Sequence, residues 1–181
     1  RSPYSATKAG SDHLVNAWHH TYGLPILMTN CSNNYGPWQN KEKLIPKIIF
    51  NAIKDNPIPI YGDGKNIRDW LYVDDHVDGL INVLNYGKTG EKYCIGGNEE
   101  HTNNEVAMLI CKLLDDIIPK ENSHKELISY INDRLGHDRR YSINASKIKS
   151  ELNWSPKFSF KEGIESTVNW YVDYFGKIKR G

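Results

Sequence analysis

The sequence predicts an α/β fold built on a parallel sheet. Segments with helical apolar spacing alternate with short strand-like runs across most of the 181 residues, joined by modest turns. The first helical segment also feeds into a continuous apolar run, Ile26-Leu27-Met28-Thr29-Asn30-Cys31, of the kind shown by a strand buried on both faces. The strands are too few to complete a large doubly wound sheet. No internal repeat or low-complexity tract interrupts the alternation.

Taken in order, Ser2 caps a helix whose first turn suits Pro3, because the missing amide proton would have had no helical partner there. The helix should run to Tyr22 and stop at Gly23, with Leu14, Val15, Trp18 and Tyr22 as an apolar side and Ala6, Ala9, Gly10, His13 and Ala17 as a flatter one. The strand Ile26 to Cys31 empties into a polar turn, Ser32 to Pro37, at the strand end where open parallel sheets bind ligands. Lys43 to Lys54 reads as a helix with Ile45, Ile48, Ile49, Ala52 and Ile53 inward. Pro57 to Ile60 and Ile67 to Val73 read as extended runs around Gly62-Asp63-Gly64. Asp74 is placed as the cap of a helix carrying Val77, Leu80, Ile81 and Leu84 and ending near Gly87. Tyr93 to Ile95 forms a short strand, and Thr102 with Glu105 has capping-box spacing for a helix burying Val106, Leu109, Ile110, Leu113 and Leu114. A charged linker after Pro119 leads to a strand at Leu127 to Ile131, a polar-basic run from Asn132 to Arg140, and a short helix at Ser146 to Leu152. Ser159 and Glu162 open the last helix, with Ile164, Val168, Tyr171 and Val172 inward and a solvated basic tail at Lys177 to Arg180.

Bulk numbers narrow the function classes. A formal net charge of +1 gives no electrostatic case for nucleic acid or an acidic membrane as the main partner. No apolar run approaches a membrane span, and the start lacks the basic-then-apolar layout of a signal peptide. Cys31, Cys94 and Cys111 have no metal-ligand spacing and fit reduced thiols of the cytoplasm. The histidines show no metal pattern, and no Gly-x-Ser-x-Gly elbow occurs. Without an initiator methionine, and beginning on a helix cap, the chain is expected to be the later part of something longer.

The first helix carries the candidate chemistry. Tyr4 and Lys8 stand four apart and project from one face. A phenol ordinarily keeps its proton to about pH 10, and a neighbouring ammonium favours the phenolate, so such a pair can act as a general base toward an alcohol. On spacing alone a solvated tyrosine and a surface lysine fit as well. Asn33, Lys43, Arg68 and Arg134 would jointly hold a diphosphate only if the fold brings them together; otherwise Arg68 is a salt-bridged arginine at a strand edge. Tyr61 and Tyr141 are candidates to flank a sugar or base, and Asp133 to Arg140 a loop to contact a polar ligand.

Several stretches resemble one family. Tyr4-Ser5-Ala6-Thr7-Lys8, Thr29 to Pro37, Glu42-Lys43-Leu44-Ile45-Pro46, Pro59-Ile60-Tyr61-Gly62, Arg68 to Val73 and Gly136 to Tyr141 are similar to the extended short-chain dehydrogenase/reductases. The Asn-Cys-Ser-Asn-Asn and Gly-His-Asp-Arg-Arg pieces narrow the likeness to the nucleotide-sugar 4,6-dehydratases that act on dTDP-glucose. Leu135 stands where that pattern usually has proline. The resemblance implies the C-terminal part of an NAD-binding Rossmann-like doubly wound fold plus a smaller mixed α/β nucleotide-sugar-binding domain. The boundary is expected near residue 38, with some segments of 39–181 returning to the Rossmann-like part. It further implies Tyr4 as the base for the sugar C4 hydroxyl, Lys8 on the nicotinamide ribose and Asn34 beside the cofactor. Substrate contacts are implied for Asn33, Lys43, Leu44, Pro59, Ile60, Tyr61, Arg68, Asn103, Asp133, Arg134 and His137. The glycine-rich cofactor turn, a threonine and an Asp-Glu pair are expected outside this chain, which alone should be inactive. A homodimer is implied as well, packed through the small-residue side of the first helix with help from the Ile45 to Ile53 stripe. Epimerases and decarboxylases of related fold share the Tyr-Lys pair and remain the alternative.

Overall fold

The computed structural model describes residues 2–178; the side chains of the basic tail from Lys177 to Arg180 lie outside that description. Helix α1 (Pro3–Tyr22) opens as its residues dictate: the Ser2 hydroxyl accepts from the Ser5 amide at 3.2 Å, Pro3 sits in the first turn, and Gly23 ends the helix at φ 67°. Strand β1 (Met28–Cys31) follows and pairs in parallel with β5 (Lys92–Ile95), Met28 opposite Lys92 and Cys31 opposite Ile95.

At Ser32 the chain changes partners. Its amide still donates to the Ile95 carbonyl at 3.0 Å, but β2 (Asn33–Tyr35) runs parallel to β4 (Ile67–Tyr72) instead. The polar turn expected at Ser32 to Pro37 is therefore half strand. Tyr35, 2% exposed and packed edge-on to Trp70 and Phe160, draws the two asparagines into the sheet with it. The first half of β4 also pairs with β6 (Glu100–Thr102), antiparallel, and with β8 (Arg140–Tyr141), parallel. Strand β3 (Ile58–Tyr61) pairs in parallel with β7 (Ile128–Ile131), which follows a 3-10 turn at His124–Leu127.

Two cores result. The larger lies among α2 (Leu44–Ile53), α4 (Asn103–Ile117), α6 (Phe160–Ile178) and β3, with Ile45, Ile49, Ile58, Ile110, Leu114, Ile164 and Val168 fully enclosed. Burying one such side chain stabilises the fold by about 1.5–3 kcal/mol. Both capping boxes form: Thr102 and Glu105 exchange hydrogen bonds at the start of α4, and Ser159 and Glu162 at the start of α6. The smaller core holds Leu71, Val83, Tyr93, Ile95, Ile148 and Trp154, between β5, α3 (Val73–Tyr86) and α5 (Ser146–Leu152). Side chains alternate along a strand, so Trp70 and Tyr72 enter the larger core while Leu71 between them enters the smaller. Behind β4, the Asp69 carboxylate accepts from the Glu99 amide at 2.9 Å, and Gly97 lies so close that a Cβ there would sit 1.8 Å from the Trp70 carbonyl oxygen.

Four expectations change. The α3 stripe Val77, Leu80, Ile81 and Leu84 faces outward, 38% to 72% exposed, and the helix packs through Asp75, Gly79 and Val83. Gly79 permits the close approach, since a Cβ would come within 3.0 Å of Ile95 Cγ2, and the buried Asp75 carboxylate accepts from the Lys157 and Phe158 amides at 3.0 and 3.1 Å. Asp74 is not the cap. The helix starts at Val73, and both aspartates lie in its first turn, where negative charge suits the helix dipole. On α1 no residue is buried: Leu14, Trp18 and Tyr22 are 54% to 70% exposed, and the helix is held at its edge by Asp12 to Lys92 at 2.7 Å. The Ile45 to Ile53 stripe, by contrast, cannot help α1 pack against another copy. Ile45, Ile48 and Ile49 are at most 1% exposed, consumed by the larger core.

Candidate functional site

Near the switch from β5 to β4, strand and helix ends open onto a cavity of about 560 Å³. Asn33 and Asn34 reach it from β2, Lys43 and Leu44 from the start of α2, Pro59 and Tyr61 from β3, Arg68 from β4, Asn103 from the first turn of α4, and Arg134 and His137 from the β7–β8 loop. Asn33, Lys43, Arg68 and Arg134, from four separate segments, therefore share one wall system. With Lys47 they place four cationic side chains around the cavity against one carboxylate, Glu42. Among the described residues none of those four cations is paired with a carboxylate. In a chain of net charge +1 that is a strong local excess, suited to a polyanion.

Three of the four cations are set by local structure that can be named. Arg68 is no ion-paired edge residue: its two terminal nitrogens donate to the carbonyls of Ile67 at 2.7 Å and Asp138 at 2.8 Å. Partial burial pulls its pKa below the usual arginine value, yet a guanidinium stays charged at any physiological pH. Lys43 is the N-cap of α2 and makes no side-chain cap, so the positive end of that helix adds to the same field. The turn that delivers it is set by Asn40, whose carbonyl accepts from the Lys43 amide at 3.0 Å. Arg134 lies over the Tyr61 ring, 5.0 Å from its centroid, a cation–π contact at the cavity rim.

Two expected substrate contacts do not line the cavity. Ile60 is fully buried in the larger core, because β3 alternates and its neighbours Pro59 and Tyr61 take the cavity side. Asp133 stands behind His137, its carboxylate 2.6 Å from the imidazole Nδ1, and that hydrogen bond holds its pKa below the ordinary aspartate value. Tyr141 also lies away from the cavity; its hydroxyl donates to the Cys31 carbonyl at 3.5 Å.

Tyr4 and Lys8 are outside the lining too, on the exposed start of α1; Tyr4 is 73% exposed. They lie at the right end of the sheet. Lys8 is close enough to Cys31, at the end of β1, for its ammonium to favour the thiolate. Cys31 closes β1, and its thiol donates to Oδ1 of Asn34, a residue of the cavity wall, at 3.8 Å.

Reading the sequence alone misses Gln39, Glu42, Lys47 and Trp70 on the cavity wall. Helical spacing points to Lys47, one turn beyond Lys43, and strand alternation points to Trp70, two residues beyond Arg68. Nothing local distinguishes Gln39, whose amide donates to the Asn34 carbonyl at 2.7 Å. Three lining atoms are buried without a hydrogen-bond partner: Asn34 Nδ2, Gln39 Oε1 and Trp70 Nε1. Unsatisfied groups of this kind are what a polar ligand would complete. Among the described residues no cluster of histidine, cysteine and acid side chains could hold a metal ion, and no helix is long and apolar enough to cross a membrane.

The fold and this cavity are those of a piece of a Rossmann-type α/β protein with a cationic pocket at its strand ends. The chain belongs to the family described as GDP-mannose 4,6 dehydratase, matched over residues 1–167. It is 58% identical over 171 residues to a dTDP-glucose 4,6-dehydratase of Shigella flexneri, covering 94% of this chain and 47% of that protein. To the dTDP-glucose 4,6-dehydratase of Salmonella typhimurium it is 58% identical over 183 residues, covering 99% of this chain and 51% of that one. The chain thus spans about half the length of the curated relatives it matches. The dTDP-glucose 4,6-dehydratase of Bacillus anthracis, solved with NAD, superposes with a TM-score of 0.88 at 48% identity, over 96% of this chain and 53% of that chain. A UDP-glucuronic acid 4-epimerase from Bacillus cereus, solved with its nucleotide sugar and NAD, gives 0.83 at 27% identity, over 96% of this chain and 53% of that chain.

Proposed function

We propose that this chain is the nucleotide-sugar-binding half of a dTDP-glucose 4,6-dehydratase, which converts dTDP-glucose to dTDP-4-keto-6-deoxy-glucose and water. The observation that carries the reading is the convergence of Asn33, Lys43, Arg68 and Arg134 from distant segments onto one cavity. A nucleoside diphosphate supplies remote binding energy, and fixed cations turn it into positioning of the hexose. Arg68, held rigid by two carbonyls, and the start of α2 serve the diphosphate. Tyr61, Pro59, Asn103 and the Arg134–His137 loop serve the nucleoside and sugar hydroxyls.

The cofactor read for this enzyme is NAD, and the residues present fit its nicotinamide end. Asn34 has a buried, unpartnered amide nitrogen, and Lys8 makes no ion pair among the described residues. When bound, NAD supplies reversible acceptance of a hydride. Tyr4 takes the proton of the sugar C4 hydroxyl, and Lys8, one turn on, orients the nicotinamide ribose. Among the described residues Glu42 is the one carboxylate on the cavity wall, and the acid and base that move the C5 proton and release the C6 hydroxyl are assigned to the remainder of a full-length protein. A second copy packed over the bare side of α1, and residence in the cytoplasm, complete the reading. The exposed Ala6, Ala9, His13 and Ala17 of its small-residue side support that packing.

Incubating a full-length protein containing this chain with dTDP-glucose and following product mass tests the proposal. Loss of one water with a new C6 methyl group is expected. An isomeric sugar of unchanged mass would instead assign the epimerase reaction, which the lower identity to the epimerase disfavours. The 181-residue chain alone should bind dTDP without turning over dTDP-glucose.

A further inference from the structure

The β7–β8 loop contains a set of contacts that the substrate assignments do not explain. His137 has a side chain only 8% exposed, though its loop is otherwise solvent-facing. Its Nδ1 is 2.6 Å from Asp133 Oδ1, and its Nε2 is 3.1 Å from a terminal nitrogen of Arg134. A guanidinium can only donate, so Nε2 must offer a lone pair. A carboxylate can only accept, so Nδ1 must carry the proton. Both neighbours thus demand one neutral tautomer. Asn66 Nδ2 also approaches Nδ1, at 3.4 Å, but it is taken up by the Asp138 carbonyl at 3.2 Å and leaves the tautomer unchanged.

Asp133 is itself held. Its Oδ1 accepts from the Arg134 amide at 2.8 Å, and its Oδ2 rests against Gly62, where a Cβ would come within 3.0 Å. Gly62 has φ 60°, so glycine there serves both the turn and the close approach. At the far end of the series, Arg134 lies over the Tyr61 ring on the cavity wall.

We infer that Asp133 is a positioning residue that acts through His137: it fixes the Nδ1–H tautomer, and the Nε2 lone pair then holds the Arg134 guanidinium over Tyr61 at the nucleotide cavity. The inference rests on the nucleotide-sugar reading of that cavity only for its effect on affinity. The tautomer and the Arg134 contact stand on geometry alone. A carboxylate ordering an imidazole that in turn orders a third group is a general way of fixing a functional side chain.

The test uses the 181-residue chain, dTDP as the probe, and Asp133→Ala, Asp133→Asn, His137→Ala and the Asp133→Ala/His137→Ala double variant. Asp133→Ala should weaken dTDP binding by about tenfold, the scale of one lost charge-assisted contact. Asp133→Asn, whose amide oxygen still accepts from Nδ1–H, should recover most of that loss. His137→Ala should cost about as much as Asp133→Ala, and the double variant no more than either. Imidazole nitrogen-15 shifts should show His137 protonated on Nδ1 in the parent and Asp133→Asn proteins, and a mixture of tautomers in Asp133→Ala. Additive losses, or equal losses in the Asn and Ala variants, would mean that Asp133 meets the nucleotide directly and would overturn the inference. An unshifted tautomer in Asp133→Ala would overturn it as well. If the parent chain fails to bind dTDP, the cavity reading falls, and the nitrogen shifts still decide whether Asp133 sets the tautomer.

Discussion

The two cores of this chain are built on different terms. Around the larger one, α2, α4 and α6 turn their apolar faces inward as periodicity dictates, and both capping boxes close. Around the smaller one, α3 packs through an aspartate, a glycine and a valine and leaves four larger apolar side chains in solvent, while α1 buries nothing. A complete core absorbs its apolar stripes; a partial one leaves them showing. The cationic cavity is bounded largely by elements of the first kind, and the Tyr4–Lys8 pair sits on an element of the second. The proposed ligand binding and the proposed proton chemistry therefore fall on regions with unequal support.

The sharpest way to separate those regions is Tyr4→Phe in a full-length protein containing this chain. The ring keeps its shape and loses the proton acceptor, so kcat should fall by about 10²–10⁴-fold while dTDP affinity measured by calorimetry stays unchanged. A comparable loss of dTDP affinity would merge the two regions into one. The contrast in packing predicts a second split. Ile110→Ala in the larger core should lower unfolding free energy by about 2–5 kcal/mol, whereas Leu84→Ser on the bare face of α3 should stay within about 0.5 kcal/mol in the 181-residue chain. Chemical denaturation reads both, and a large loss from Leu84→Ser would show that face to be covered.

On the binding side, Arg68→Ala should weaken dTDP by about 2 kcal/mol, because it removes a charge-assisted contact and leaves the larger core intact. Unchanged titration curves would take Arg68 out of the cavity's function. The smallest effect concerns acid. At the end of α4, partial burial works against ionisation of Asp115. Hydrogen bonds from the His124 amide, the Ser123 hydroxyl and the His124 ring outweigh it and hold the pKa at about 2, below the ordinary 3.8. A carboxyl depressed on folding stabilises above its unfolded pKa, and that contribution disappears as pH falls through the folded value. Stability should therefore drop between about pH 4 and pH 2, by about 1 kcal/mol after allowance for solvent screening. Asp115→Ala should flatten that part of the urea-midpoint profile.

The contrast also explains what could be read in the residues alone. Elements of the larger core follow hydrophobic period and capping chemistry, so α2, α4, α6 and both boxes are legible. The α3 face is not, because period marks where apolar side chains are, not which side a glycine lets close or where a buried carboxylate meets loop amides. β2 is missed because Asn33 and Asn34 have turn propensity, and long-range pairing with β4 overrides it. Most of the cavity wall is legible through family resemblance. Ile60 and Asp133 stand off the cavity wall for a simple reason: adjacency in a motif does not say which side chain turns toward the cavity and which stands behind it.

One strand carries a consequence for motion. Trp70 and Leu71 are neighbours in sequence, yet they sit in different cores, and Gly97 presses on the carbonyl between them. A fluctuation that frees the β4 backbone must loosen both cores together, so this strand has no inexpensive partial opening. Its amide protons should be among the slowest to exchange with solvent, while those of α1 exchange early. Arg68 and Trp70 of the cavity wall belong to that slow strand, so the surface they present to a ligand should keep its shape when α1 opens.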